Sequence, residues 1–490
     1  MTPTLQSAAA VLEGLVPVLV ALASVHSLHR VRLLGAVWRL RSRPALAPAA
    51  GLPGGAPFVT VQIPLFNERD VADRVIAACA ALSWPHDRLE LQVLDDSTDD
   101  TGAVVDASVA EARARGVSVS VLRREARVGF KAGALAAGLA AARGELVAIF
   151  DADFVPAPDF LRRIVPRFAD PGLGMVQARW SHQNAAESML TQAQATLLDG
   201  HFRIDHAARA GLGCWFNFNG TAGVWRRACI EAAGGWQGDT LTEDLDLSYR
   251  AQIAGWRFAY APEVSVPAEV PSTMAAFRAQ QRRWAMGSIQ TLRKLGGAVL
   301  RSPVPGSVRV EALAHLAANL AWLPALGLTV LLPWAVLLRT SPAVGWLAGL
   351  SLGLCTLPNL VFYAVASGGW RGVPGAAVLA LGLAPAQARA TLDGLRGARE
   401  PFARTPKRGA SARSSYLEGA AGFSWLELAL ALPHLLAAVA CVGRAEWAPV
   451  PFLLLFGLGL AWVGSGWQGT AVPSSPRRAD PEMAGVAGVG

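Results

Sequence analysis

The stretch Glu145-Leu-Val-Ala-Ile-Phe150-Asp151-Ala-Asp153 decides the fold. Leu146 to Phe150 run without a polar break, as a strand buried on both faces requires, and two carboxylates follow its carboxyl end. Three further β-branched runs lie upstream: Phe58-Val-Thr-Val-Gln-Ile63, Leu89-Glu-Leu-Gln-Val-Leu94 and Val117-Ser-Val-Ser-Val-Leu122. Between the four runs lie Ala-rich windows that predict helices at about 71 to 82, 101 to 114 and 130 to 142. Strands and helices alternating at this spacing predict a doubly wound, largely parallel sheet. Ligands of such sheets gather beyond the carboxyl ends of the strands, and that is where the acids lie.

The flanks of this region differ in character. The chain has 490 residues, 44 Lys+Arg against 36 Asp+Glu, and a formal charge of +8. Only 16% of residues are charged, 52% are apolar and the mean hydropathy is +0.34. Soluble domains carry about a quarter charged residues, so composition excludes a disordered chain and argues against a purely soluble one. The excess cations lie mainly beside apolar stretches, where cytoplasmic flanks of membrane helices belong, so they read as topology signals and not as a nucleic-acid surface. Five scattered cysteines with no CxxC pair support neither a zinc site nor a disulfide framework.

Ala8 to Ser27 is apolar except for Glu13, and His29, Arg30, Arg32, Arg39, Arg41 and Arg43 follow it. A secretory signal carries its positive charge first, so this stretch predicts an anchor helix whose C-terminal end is cytoplasmic. Pro44 to Pro57 reads as a linker. Beyond Val310, apolar stretches near 312–338, 343–366, 425–443 and 447–466 predict four more spans. The segment 373–384 falls below the roughly 20 residues a span needs and is expected to be interfacial or re-entrant. That parity keeps both the 58–300 region and the basic stretch Arg389 to Arg413 in the cytoplasm. The expected organisation is an anchor and linker (1–57), an α/β domain ending in an interfacial helix (58–300), membrane helices (301–466) and a disordered tail (467–490).

Five clusters carry chemistry. Asp151 and Asp153, at i and i+2 of an extended chain, point to one side and suit Mg2+ or Mn2+ shared with a diphosphate; the bland alternative is two solvated strand-end acids. Asp95-Asp96-Ser97-Thr98-Asp99-Asp100 suits either nucleotide contact or helix capping. Gly129-Phe-Lys131-Ala-Gly133 opens a helix and offers N–H groups and a cation to phosphate. In Leu241-Thr242-Glu243-Asp244, Thr242 is expected to cap a helix that has Asp244 in its first turn, either as a dipole-favoured acid or as a general base, with Glu243 beside it. Gln280, Arg283 and Trp284 share one helical face, as an interfacial anchor or as a platform for sugar and phosphate.

In this order, Asp95-Asp96-Ser97, Asp151-Ala-Asp153, Thr242-Glu243-Asp244 and Gln280-x-x-Arg283-Trp284 resemble the motifs of processive family 2 glycosyltransferases, the cellulose synthase group. Gln177-Ala-Arg-Trp180-Ser-His-Gln-Asn184, Phe216-Asn-Phe-Asn-Gly-Thr-Ala-Gly223 and Arg404-Thr-Pro-Lys407 look closest to its cellulose synthase-like, glucomannan synthase-like branch. The resemblance covers about residues 58–300 and the flanking helices. It implies a GT-A fold, Rossmann-like with a mostly parallel sheet, in the cytoplasm beneath an α-helical transmembrane region of a bacterial-type inner or plasma membrane. Asp96 and Asp95 would then contact the nucleotide, Lys131 its diphosphate, and Asp151 and Asp153 the divalent cation. Asp244 would be the catalytic base. Gln280, Arg283 and Trp284 would position the leaving diphosphate and the acceptor, with Asn219, Gly220 and Thr221 near the acceptor sugar.

The implied reaction moves a hexose from UDP-glucose or GDP-mannose to a growing β-1,4-glycan in one inverting displacement. Implied partners are the nucleotide sugar, a glycan or glycolipid acceptor, membrane lipid, and an export or accessory subunit. The stretch after Gly464 is too short for the cyclic di-GMP-sensing domain that bacterial cellulose synthases commonly append, and Arg408 to Arg413 reads as a basic flank. Two alternatives remain open from the sequence: transfer of a single sugar to a lipid, and a transporter or scaffold that keeps a nucleotide-binding domain.

Overall fold

The computed structural model describes residues 3–40, 55–338, 342–398, 400 and 423–468. The expected linker up to residue 54, the stretches Arg404–Lys407 and Arg408–Arg413, and the tail from 469 lie outside the described residues.

Seven strands form one sheet: β1 (Val59–Leu65), β2 (Leu89–Asp95), β3 (Val119–Leu122), β4 (Leu146–Ile149), β5 (Leu173–His182), β6 (Gly223–Arg226) and β7 (Arg257–Ala268), in the order β3-β2-β1-β4-β6-β5-β7. The pairs β1/β2, β1/β4, β2/β3 and β5/β7 are parallel, whereas β6 runs antiparallel to both β4 and β5. This is a mixed, mostly parallel GT-A-like sheet. The four strands expected from β-branched runs are β1 to β4, and the three windows between them form the helices Arg69–Ala80, Thr101–Ala114 and Phe130–Ala141.

The uninterrupted apolar run of β4 is explained by two cores. Leu146 and Ala148 pack into one with Val61, Ile63 and Val93, while Val147 and Ile149 pack into the other with Leu135, Phe218 and Trp225. Full burial of each large side chain is worth about 1.5–3 kcal/mol, so β4 anchors both layers. On β1 and β2 the second face is polar: Thr60 Oγ1 donates to Glu90 (2.6 Å) and Gln62 Nε2 to Gln92 (3.0 Å). Gly138 lets the Phe130–Ala141 helix lie on this ladder, since a Cβ there would stand 2.5 Å from Gln62 Nε2.

The N-terminal helix corrects an expectation. It does not end near Ser27 but runs from Pro3 to Leu40, 38 residues, with His29, Arg30, Arg32 and Arg39 inside it. At 1.5 Å per residue it is roughly 57 Å long, well beyond a hydrocarbon core of about 30 Å. Its cations are matched by partners distant in sequence. Arg30 donates to Asn359 (2.8 Å) and sits over the rings of Phe362 and Tyr363, while His29 and Arg32 bond to Glu311.

Of the five expected spans, three meet the length and hydropathy needed to cross a membrane among the described residues: Ala9–Leu40, Ala318–Leu338 and Trp425–Gly443. The other two stretches are helices as well, Pro342–Ser367 and Val450–Ser465, the latter only 16 residues long. The short segment folds as Val373–Gly382, followed by the helix Ala384–Arg396. Its Ala376 and Leu379 pack between Leu190 and Ala193 of the α/β domain and Trp462 and Val463 of the last helix. The helix Met274–Arg301 lies along Ala384–Arg396, with Arg282 bonded to Asp393 at 2.7 Å.

Glu311 is fully buried and bonds His29 and Arg32 of the N-terminal helix and Arg209 of the α/β domain (3.1 Å). Burial alone would raise its pKa; the hydrogen bonds and charges of His29, Arg209 and Arg32 outweigh that and pull it down to about 2. Removing this one anion leaves the Arg32 and Arg209 guanidiniums and the His29 ring without their shared partner. Glu311→Ala is therefore expected to destabilise the protein by about 3–5 kcal/mol, read as a lowered unfolding midpoint of the full chain in detergent.

Candidate active site

The parallel strands β1, β2 and β4 deliver their carboxyl ends to one edge of the sheet. Because β6 is reversed, the turn that precedes it, Asn217 to Ala222, arrives at that same edge. A cavity there is lined by Asp96, Lys131, Asp151, Asp153, Asn219, Gly220, Glu243, Asp244, Gln280, Arg283 and Trp284. The five clusters, spread over nearly 200 residues of sequence, thus meet in one place.

Two of the expected site residues stand behind the wall instead. Asp95 is 2% exposed and is held by Arg123 (2.9 Å) and the Ser97 N–H (3.0 Å), so Asp96 alone of that pair lines the cavity. Thr221 is fully buried, and its Oγ1 accepts the Asp151 N–H at 2.9 Å. Asp96 is gripped through both oxygens by Arg124, which also donates to Val128 O (2.8 Å) and Phe130 O (2.9 Å). Asp100 is the N-cap of the Thr101–Ala114 helix by position but makes no side-chain cap bond, and the carboxylate of Asp99, one residue earlier, accepts the Thr101 N–H at 3.0 Å.

The Asp151-Ala-Asp153 geometry differs from the expected extended chain. The strand stops at Ile149 and the backbone turns at Ala152 and Asp153, yet both carboxylates reach the cavity. Asp153 is 3% exposed and accepts Glu269 N–H from the residue after β7 (3.1 Å). Asp151 meets Lys131, whose Nζ stands 2.5 Å from its Oδ1 and donates to Gly220 O at 2.9 Å. Burial works against the charged lysine, but Asp151, Glu243 and Asp244 outweigh it and raise its pKa.

Among the described residues no cluster of three or more His, Cys, Asp or Glu side chains encloses a metal. Asp151 and Asp153 form an oxygen-only, two-carboxylate donor set, which suits a hard cation completing its shell with water and diphosphate oxygens.

Glu243 and Asp244 open the helix Glu243–Ile253. Thr242 is its N-cap by position, but its side chain makes no cap bond; it is pressed against the Met274–Arg301 helix, where Gly287 leaves room for it and Thr291 Oγ1 is 3.5 Å away. Asp244 Oδ1 accepts Leu245 N–H instead (2.8 Å). Burial raises the Glu243 pKa against the pull of Lys131, and burial together with the Glu243 charge pushes Asp244 up to about 7. A carboxyl poised near neutrality, partly open to a cavity, is suited to general-base work. Across from it Gln280, Arg283 and Trp284 turn one helical face into the cavity. Burial lowers the Arg283 pKa while Glu243, Asp151 and Asp244 hold it up.

Several lining residues escaped the sequence reading. Arg127 lies 3.3 Å over the Phe66 ring beside Asp96, and Glu68, Trp180, His182 and Glu269 complete the wall. A usable signal existed for the arginines: Arg123-Arg124-Glu-Ala-Arg127 follows β3, at the ligand-binding edge of a parallel sheet.

Residues 56–287 match the family described as "Glycosyltransferase like family 2". The chain thus carries a family 2 glycosyltransferase domain. The chain is 46% identical over 251 residues to Glucomannan 4-beta-mannosyltransferase 2 of Arabidopsis thaliana, covering 50% of this chain and 47% of the relative. To Glucomannan 4-beta-mannosyltransferase 1 of Oryza sativa subsp. japonica it is 45% identical over 251 residues, covering 50% and 48%. The chain therefore spans about half the length of these relatives. Among solved structures, a mannosyltransferase from Pyrobaculum calidifontis in complex with GDP-Man and Mn2+ superposes with a TM-score of 0.56 at 25% identity, covering 75% of this chain and 98% of that one.

Gly220 supplies a direct test of the site's geometry. Its φ is +82°, and a Cβ there would lie 3.1 Å from Asp244 Oδ2 and 3.4 Å from Lys131 Nζ. Gly220→Ala is expected to cost about 1–2 kcal/mol in backbone strain, read by thermal unfolding, and to lower turnover at least tenfold, roughly, by wedging a methyl between Asp244 and Lys131.

Proposed function

We propose that the protein is an integral membrane hexosyltransferase with its catalytic domain in the cytoplasm, moving mannose from GDP-mannose onto a β-1,4-linked glucomannan or mannan chain. The observation that carries this reading is Asp244, raised to about 7 and placed in one cavity with Lys131, Asp151, Asp153 and Trp284. GDP-mannose is favoured over UDP-glucose because the relatives are named glucomannan 4-beta-mannosyltransferases and the structural neighbour was solved with GDP-Man.

In this reading the base and ribose lie at Asp96, Phe66 and Arg127, and Lys131 and Arg283 face the diphosphate. Asp151 and Asp153 would hold Mg2+ or Mn2+, which when bound neutralises the charge on the leaving diphosphate. Trp284 offers the acceptor sugar an aromatic face, and Asp244 takes the proton of the attacking hydroxyl. The hydroxyl oxygen bonds to the anomeric carbon as the carbon–phosphate oxygen bond breaks on the opposite face, so an α-linked donor yields a β-linkage. Three long apolar helices and the packing of Val373–Gly382 against the α/β domain support growth of a polymer at a membrane.

The test is transfer by the full chain in detergent or liposomes with Mn2+, offered GDP-mannose and UDP-glucose separately. A long product degraded by β-mannanase is expected from GDP-mannose. A single-sugar glycolipid would favour the lipid transferase, and incorporation of glucose alone would overturn the donor. Asp244→Asn is expected to lower kcat by about a hundredfold or more. Because the base works ionised, kcat/KM should fall roughly tenfold per pH unit below about 7 and level off above it, and this limb should vanish in Asp244→Asn.

A further inference from the structure

The turn before β6 is hydrogen-bonded to Lys131 and Asp151 directly and to Asp244 through Ser248. The Gly220 carbonyl holds Lys131 (2.9 Å), the Thr221 hydroxyl accepts the Asp151 N–H (2.9 Å), and the Phe218 N–H donates to Ser248 Oγ (2.9 Å), which donates to Asp244 O (2.6 Å). The turn is an unfavourable conformation. Gly220 has φ +82° and Ala222, a residue with a Cβ, has φ +54°. A backbone of this kind persists only where its surroundings over-determine it.

Gln177, from β5, does so. It is fully buried, and its amide bonds four turn or strand groups: Nε2 lies within reach of Ala178 O (2.8 Å), Thr221 O (3.1 Å) and Ala222 O (3.1 Å), and Oε1 accepts Asn219 N–H (2.9 Å). On the far side the Asn219 side chain lies 2.8 Å from His201 Nε2 and 2.9 Å from His206 Nε2, both on the π-helical Gly200–His206 segment. A buried amide with both ends engaged is costly to replace and fixes the atoms it touches.

We propose that Gln177 and Thr221 are positioning residues: Gln177 clamps the Asn219–Ala222 turn, and through the Thr221 hydroxyl the turn fixes the Asp151 backbone and so aims its carboxylate at the metal and diphosphate. Neither residue touches the reacting atoms. Thr221, expected from the sequence at the acceptor sugar, acts from behind the wall on the opposite, donor side of the site. The proposal rests on the reading of Asp151 and Asp153 as cation ligands, and the test separates the two.

The test is Mn2+ uptake by the full chain in detergent, followed by loss of the free-Mn2+ electron paramagnetic resonance signal in the presence of GDP, for the parent, Thr221→Ser, Thr221→Val and Gln177→Met. Valine keeps the shape of threonine without the acceptor, and serine keeps the acceptor without the methyl. Thr221→Val and Gln177→Met are expected to weaken Mn2+ uptake at least tenfold, with Thr221→Ser within twofold of the parent. Thermal unfolding of the same samples reports folding, and the serine/valine contrast removes the effect of size. Equal uptake by the parent and Thr221→Val would overturn the positioning role alone. No uptake by the parent would overturn the cation reading, and the positioning proposal with it.

Discussion

The ammonium of Lys131, held between the Asp151 carboxylate and the Gly220 carbonyl, is the interaction on which the site depends. Glu243 and Asp244 share one cavity with Asp151 and Asp153, and burial first, then the neighbouring carboxylate charge, push Glu243 and Asp244 toward the neutral form. Raising Asp244 from 3.8 to about 7 corresponds to roughly 4 kcal/mol against its ionised state. Without Lys131 and Arg283 nearby, Glu243 and Asp244 would be driven further toward protonation, and the proposed base would already carry a proton. The same cations meet the diphosphate in the proposed reaction, so base and donor site share one electrostatic balance.

Sheet topology makes that balance attainable. Parallel β1, β2 and β4 carry Phe66, Asp96 and the Asp151/Asp153 pair to one edge, and the single reversed strand β6 brings the strained turn to meet them. Asp244 arrives on a separate helix, pinned to the turn through Ser248 and to the Met274–Arg301 helix through the Thr242 contact with Gly287. The helix that carries Gln280, Arg283 and Trp284 also packs on Ala384–Arg396, which follows the short apolar helix Val373–Gly382, so the cavity is coupled to the C-terminal helices. Glu311 adds a second link, joining the N-terminal helix to Arg209.

Much of this was legible in the residues. The β4 run is apolar on both faces because it feeds two cores, and strand-end acids in a parallel sheet mark the ligand edge whatever the partners. What escaped depends on contacts that no local pattern records. β7 carries prolines at 262 and 267, which break its strand pattern and are tolerated because it is an edge strand. The N-terminal helix continues through its arginines because Arg32 meets Glu311, 279 residues away. Thr221 was expected beside the acceptor, and only the fold reveals that its hydroxyl serves the Asp151 backbone. Asp95, beside Asp96 in sequence, is drawn inward by Arg123, a choice the sequence leaves even.

The account's central claim is a single displacement in which Asp244 activates the acceptor while the diphosphate leaves from the opposite face. The most direct measurement is the anomeric configuration of newly transferred sugar, read by NMR with donor labelled at the anomeric carbon. An α-linked GDP-mannose should give only β-linked mannose in the product; an α-linked product would require a different catalytic arrangement and would contradict the role assigned to Asp244.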